Sequence, residues 1–169
     1  MFSIIRASQK LMPEVVKILN STYFLFKDLL TDQKDLQEHH VDEAWIARNF
    51  PKREFFLARV DGEYVGFISY QNLQSYAYIG YLYIEKKYFR RGFGRSLMNF
   101  VEMRAKLDNL PEIWLFVHNK ADWARQAYNR MGFEVMATTA EDIFASDEKL
   151  KEYYETGNIL LRKIISPSN

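Results

Sequence analysis

Cysteine is absent from the 169 residues. That excludes disulfides, thiolate metal sites and any reaction through a covalent cysteine intermediate, and it fits a reducing compartment such as the cytosol. Histidine is scarce, with 3 residues, and His39-His40 is an adjacent pair without a nearby third ligand, so no metal site is expected. Proline and glycine are few, at 4 and 7, and no Gly/Ser/Pro-rich linker, repeat or low-complexity tract divides the chain. Residues 1–169 therefore read as one domain. No apolar run approaches the roughly 20 residues of a spanning helix, and Met1 to Lys10 is too mixed for a signal peptide, so a cytoplasmic protein without membrane contact is expected. With a formal charge of +1, no global field draws the protein to nucleic acid either.

An ordinary globular balance is present, with 48% hydrophobic and 27% charged residues. "FSIIRA" (2–7) has the pattern of a strand, and a helix with Pro13 in its first turn follows. A second helical region is expected from Tyr23 to Asn49, its firmest part being "VDEAWIARNF" with Asp42 as cap. "EFFLARVDGEYVGFISYQ" (54–71) is two β-rich runs joined by Asp61-Gly62, a hairpin signal, and "YAYIGYLYI" (76–84) adds a third strand to an antiparallel meander.

The alternation then changes. A helix is expected from about Ser96 to Asp108, with Leu97, Phe100, Val101 and Ala105 on one stripe. A strand "IWLFV" (113–117), a helix from about Asp122 to Met131 stopped by Gly132, and a strand "FEVMAT" come next. This order makes a right-handed crossover with a locally parallel pair. A short helix "DEKLKEYYE", capped by Ser146 and stopped by Gly157, precedes a last strand "NILLRKII". The fold class is α/β (α+β), a mixed and mostly antiparallel sheet flanked by helices.

The chemically informative segment is "RRGFGRS" (90–96), between a strand and a helix N-terminus. Gly92 and Gly94 permit close backbone approach, and the unpaired first-turn N–H groups and helix dipole favour an anion. Arg90, Arg91 and Arg95 add charge, and Phe93 and Ser96 complete the loop. A pyrophosphate suits this site. A Walker loop does not, because Arg95 stands where lysine is needed, and Leu97 occupies the third glycine of a dinucleotide fingerprint.

The stretch "YLYIEKKYFRRGFGRSLMNFVE" (81–102) resembles the central motif of the GCN5-related N-acetyltransferase (GNAT) family, a strand, a Gln/Arg-x-x-Gly-x-Gly/Ala loop and a helix. "YNRMGF" (128–133) is similar to that family's second motif. Phe89 replaces the leading Gln/Arg, with Arg90 or Arg91 as substitutes, and Ala121 stands where an asparagine is frequent, with Asn119 two places earlier. The resemblance implies a GNAT-like acyl-CoA N-acyltransferase fold, with acetyl-coenzyme A as co-substrate and no metal.

It further implies that Leu82, Tyr83 and Ile84 offer backbone groups to the pantetheine arm, where the central strand and "IWLFV" splay apart. The amide of Leu82 or Tyr83 would stabilise the oxyanion, and Tyr128 would protonate the departing thiolate. His118 and Glu85 are weighed as bases, and neither is assigned. The acceptor is a primary amine of a small molecule, polyamine or protein. Its site would be shaped by the Tyr23–Asn49 region and by "TAEDIFASDEKLKEYYETG", whose six acidic residues against two basic suit a cationic amine or simply a solvated helix face. A homodimer is compatible with the sequence. A non-catalytic acyl-CoA-binding regulatory module is the alternative to an enzyme.

Overall fold

A computed structural model describes residues 1–22 and 41–165. The strands are β1 (Phe2–Arg6), β2 (Glu54–Val60), β3 (Glu63–Asn72), β4 (Ala77–Ile79), β5 (Leu82–Ile84), β6 (Glu112–His118), β7 (Glu134–Ala137) and β8 (Asn158–Ile164). The helices are α1 (Met12–Ser21), α2 (Glu43–Asn49), α3 (Phe93–Leu107), α4 (Asp122–Arg130) and α5 (Ala140–Ser146). The strands lie in the order β1-β2-β3-β4-β6-β8-β7, with β5 also on β3. Every pairing is antiparallel except β4 with β6. This is the mixed, mostly antiparallel sheet that the sequence pattern predicts. The β2–β3 turn has φ of 49° at Asp61 and 85° at Gly62, the two left-handed positions of a tight hairpin.

Both faces of the sheet are covered. The apolar stripe of α3 (Leu97, Met98, Val101, Ala105) packs with Ile68, Ile113 and Leu115 on one face, and α4 adds Ala124 and Tyr128 there. On the opposite face, α1 and α2 cover the β1–β3 half through Val15, Ile18 and Trp45. The β6–β8 half is covered by Ile143 of α5 and by Leu150.

Four local expectations shift. The run 76–84 is not one strand: β4 and β5 are separated at Gly80-Tyr81. Buried Ser69 causes the break, since its Oγ accepts from the amides of Gly80 (3.1 Å) and Tyr81 (2.9 Å) while its own amide donates to the Tyr81 carbonyl. Two amides that a straight strand would give to the sheet are thus held by one hydroxyl, and the strand bends. The second shift is at α3, which starts at Phe93 rather than Ser96, because Gly92 at φ 83° is itself the N-cap. Third, the inward stripe of α3 carries Met98, and Phe100 sits at its margin against Phe56. Fourth, the segment after Ser146 is a 3-10 turn (Glu148–Glu152) capped by Asp147, whose carboxylate accepts from the Lys149 amide. Ser146 instead closes α5, donating to the Asp142 carbonyl. The predicted cap at Asp42 is present and accepts from the Trp45 amide, whereas the helical expectation over 23–40 lies outside the described residues.

Candidate active site

The bend at Gly80 opens the sheet. β4 pairs with β6 over Ala77–Ile79 and Ile113–Leu115, but beyond the bend β5 pairs with β3 while β6 continues along β8. Between β5 and the end of β6 the two strands diverge. Ladder alternation then determines which amides face the gap. The Tyr81 carbonyl and the Glu85 amide bond to β3, so Tyr83, opposite Phe67, also turns its main-chain groups to β3. Leu82 and Ile84 turn theirs away, toward β6. Of the two residues weighed for the oxyanion, Leu82 has the amide facing the gap.

A cavity of about 960 Å³ runs through this gap. At one end stands the first turn of α3. Gly92 caps it with backbone alone: no side chain accepts from the first-turn amides, and no acidic residue lies in that turn. A Cβ on Gly94 would meet only Ile84 Cγ1 at 3.9 Å, so internal packing does not demand glycine there. The side facing the cavity is left bare, an arrangement that fits a diphosphate held by successive N–H groups.

Arg90, Gly92, Phe93, Gly94 and Arg95 line the cavity, as do Leu82, Tyr83 and Ile84. Arg91 and Ser96 do not line it. The Arg91 guanidinium lies over the Tyr88 ring at 5.6 Å, and the Ser96 hydroxyl and amide both donate to the Gly92 carbonyl, which secures the cap. Phe89, in the place of a polar residue, lines the wall, whereas buried Ala121 and Asn119 lie off it.

Tyr128 reaches the cavity from α4, with Phe133 edge-on at 5.6 Å. Burial pushes its phenol up to about 12. Tyr83, opposite on β5, is raised well above the ordinary tyrosine value, first by burial and then by the charge of Glu155. His118 also lines the cavity, but its Nδ1 accepts from the Lys120 amide at 3.1 Å. That bond engages the Nδ1 lone pair, and the base stays unassigned. Glu85 lies off the cavity, 3.9 Å from Lys87, and His39-His40 lies outside the described residues.

The far end is lined by Trp45, Arg48 and Asn49 of α2, by Lys52 and Arg53 just after it, and by Glu152, Tyr153 and Glu155. The expected acidic wall is thus reduced to two carboxylates, and Glu152 pairs with Lys52 at 2.6 Å. The other acidic residues of that segment lie off this lining, Glu141 and Asp142 on α5, Asp147 at its C-cap and Glu148 at the start of the 3-10 turn. Sequence reasoning missed Ser69 and Arg53. Ser69 gives no sequence signal, and Arg53 reads as an ordinary loop cation.

Comparison with known proteins agrees with this geometry. Residues 13–133 match the family described as "Acetyltransferase (GNAT) family". A curated relative, the chloroplastic GCN5-related N-acetyltransferase 6 of Arabidopsis thaliana, is 24% identical over 86 residues, 51% of this chain but 30% of its own length. The chain thus spans under a third of that relative. Among solved structures, the PaiA N-acetyltransferase of Thermoplasma acidophilum in complex with coenzyme A has a TM-score of 0.74 at 16% identity, covering 97% of this chain and 99% of its own. A streptothricin acetyltransferase homologue of Bacillus anthracis with acetyl-coenzyme A is 26% identical over 69% of this chain and 65% of its own, with a TM-score of 0.56. Among the described residues no helix is long and apolar enough to cross a membrane.

Proposed function

The chain belongs to the GNAT acetyltransferase family, and from that premise we propose that it transfers the acetyl group of acetyl-coenzyme A to a primary amine by direct attack in a ternary complex. One observation carries the reading: a single cavity connects the glycine-capped first turn of α3 with the gap between β5 and β6. A diphosphate at one end and an amine at the other then meet where strand amides are exposed. Neighbours solved with coenzyme A or acetyl-coenzyme A support this choice of co-substrate.

In the proposed step the amine lone pair attacks the thioester carbonyl carbon. A C–N bond forms and the carbonyl electron pair moves onto oxygen, where the Leu82 amide would stabilise it. Return of that pair breaks the C–S bond, and the sulfur leaves with its electrons while the nitrogen gives up a proton to water. Tyr128 is the donor we assign to the sulfur. With its phenol at about 12 against about 8.5 for a thiol, Tyr128 stays protonated through the neutral range. Its contribution is a hydrogen bond to the developing thiolate more than complete transfer.

The test is a panel of primary amines incubated with acetyl-coenzyme A, with free thiol as the readout. Amine-dependent thiol release is the expected result. Cofactor binding without release from any amine would instead favour an acyl-CoA-binding regulatory module.

A further inference from the structure

Arg53 is the unusual residue of the acceptor end. It lines the cavity with its guanidinium stacked between the rings of Tyr81 (5.1 Å) and Tyr153 (5.4 Å). It also lies against the backbone of the bend, so that a Cβ on Gly80 would stand 2.0 Å from its Nη1. Tyr153 is itself fixed, its hydroxyl accepting from Gln71 and its ring stacked on Tyr78 at 4.8 Å. Arg53 is thus held in one place by two aromatic faces and a glycine.

Among the described residues its charge has no counter-ion. The Nε is buried with no hydrogen-bond partner, and no carboxylate among the described residues lies within ion-pair distance of it. Lys52 next door shows the contrast, since it is spent on Glu152. Leaving a buried guanidinium nitrogen without a partner is costly, and the cost is offset when an anion arrives. The planar donor fork of arginine suits a carboxylate in particular.

Resting on the transferase reading above, we infer that the acceptor is an amine carrying a carboxylate, an amino-acid-like molecule whose carboxylate Arg53 holds. Position supports the size of this acceptor. Gly80, against which Arg53 lies, precedes the gap-facing amide of Leu82 by two residues, a span of at most roughly 7 Å along the chain. A carboxylate at the guanidinium therefore leaves the amine a few bonds away, at the thioester. A polycation entering the same end would meet Arg48 and Arg53 with like charge, and Glu152, one of the two carboxylates on this lining, is already paired with Lys52.

The experiment uses the full chain and matched probes, the proteinogenic amino acids and their C-amides. One arm measures binding calorimetrically to protein loaded with coenzyme A; the other measures thiol release with acetyl-coenzyme A. At least one free acid should bind and react better than its C-amide by roughly 10–100-fold. Arg53→Gln and Arg53→Lys should both collapse that ratio toward one while the dissociation constant for acetyl-coenzyme A stays within about twofold. Failure of every free acid to bind, equal use of acids and amides, or a ratio unchanged in both variants would overturn the inference. If thiol release fails with every amine but a free acid still binds through Arg53, the transfer reading falls while the carboxylate site stands.

Discussion

At the α3 end of the cavity the recognition groups are main-chain amides of consecutive residues, Phe93 to Arg95, beyond a glycine cap. At the opposite end they are side chains drawn from separate parts of the chain, Trp45, Arg48, Arg53 and Glu155 among them. The first kind of site is general: as proposed, it would suit any partner with a diphosphate, and its chemistry depends on what is absent, a capping side chain and a Cβ. The second kind is selective, because each side chain adds its own charge and shape. An acyl donor common to a family and an acceptor particular to one member call for this division.

The sharpest way to break that division is to alter the backbone site without disturbing the fold. Gly94→Glu places a carboxylate in the first turn of α3, where the helix dipole favours it and where 3.9 Å separates the new Cβ from Ile84. The unliganded protein should melt close to the wild type, yet affinity for acetyl-coenzyme A should fall about a hundredfold or more from charge repulsion and lost space. Calorimetric titration checks both. An unchanged affinity would move the diphosphate elsewhere.

Tyr128→Phe tests the wall between the two ends. Turnover should fall on the order of tenfold, the low end for a proton donor because the phenol is a weak acid, while acetyl-coenzyme A affinity changes little. The same tyrosine contributes to alkaline instability. Tyr70, Tyr76, Tyr78, Tyr83 and Tyr128 are all raised by burial. Between the unfolded value of 10.0 and about 12 for Tyr128, the unfolded chain has lost a proton that the folded one retains. Stability is therefore complete below pH 10 and declines as pH rises through that window. Melting temperature against pH should show the fall, less steeply in Tyr128→Phe.

Ser69→Ala gives the smallest of these effects on chemistry and a clear one on stability. It leaves the Gly80 and Tyr81 amides without their acceptor, at a cost of about 1–3 kcal/mol. For a chain of this length that lowers the melting temperature by about 2–4 °C per kcal/mol. Thermal unfolding would check it, and an unchanged melting point would mean that the bend is held by other contacts.

Much of the fold was legible because its signals are local. The Asp61-Gly62 turn, the Asp42 cap, the apolar stripe of α3 and Gly132 after α4 each act within a few residues, so residue order was enough. The glycine loop before α3 was legible for the same reason, apart from the start of the helix, where a positive φ at Gly92 brings the loop's own residues into it. Less was legible at the bend and the acceptor end. One serine on β3 divides a strand that alternation alone would keep whole, and it acts across 11 and 12 positions of sequence.

By itself, then, the order of residues determined the strands, most helix limits, the glycine cap of α3 and the absence of cysteine chemistry. Each of these follows from short-range dihedral and hydrogen-bond preferences. Tertiary structure alone decided that β5 leaves β6, that the Leu82 amide rather than that of Tyr83 faces the gap, that Nδ1 of His118 accepts from the Lys120 amide, and that Arg53 lies between two tyrosines with no carboxylate beside it among the described residues. Those facts depend on groups far apart in the chain meeting in a medium of low dielectric constant, where partner and position decide what each group can do.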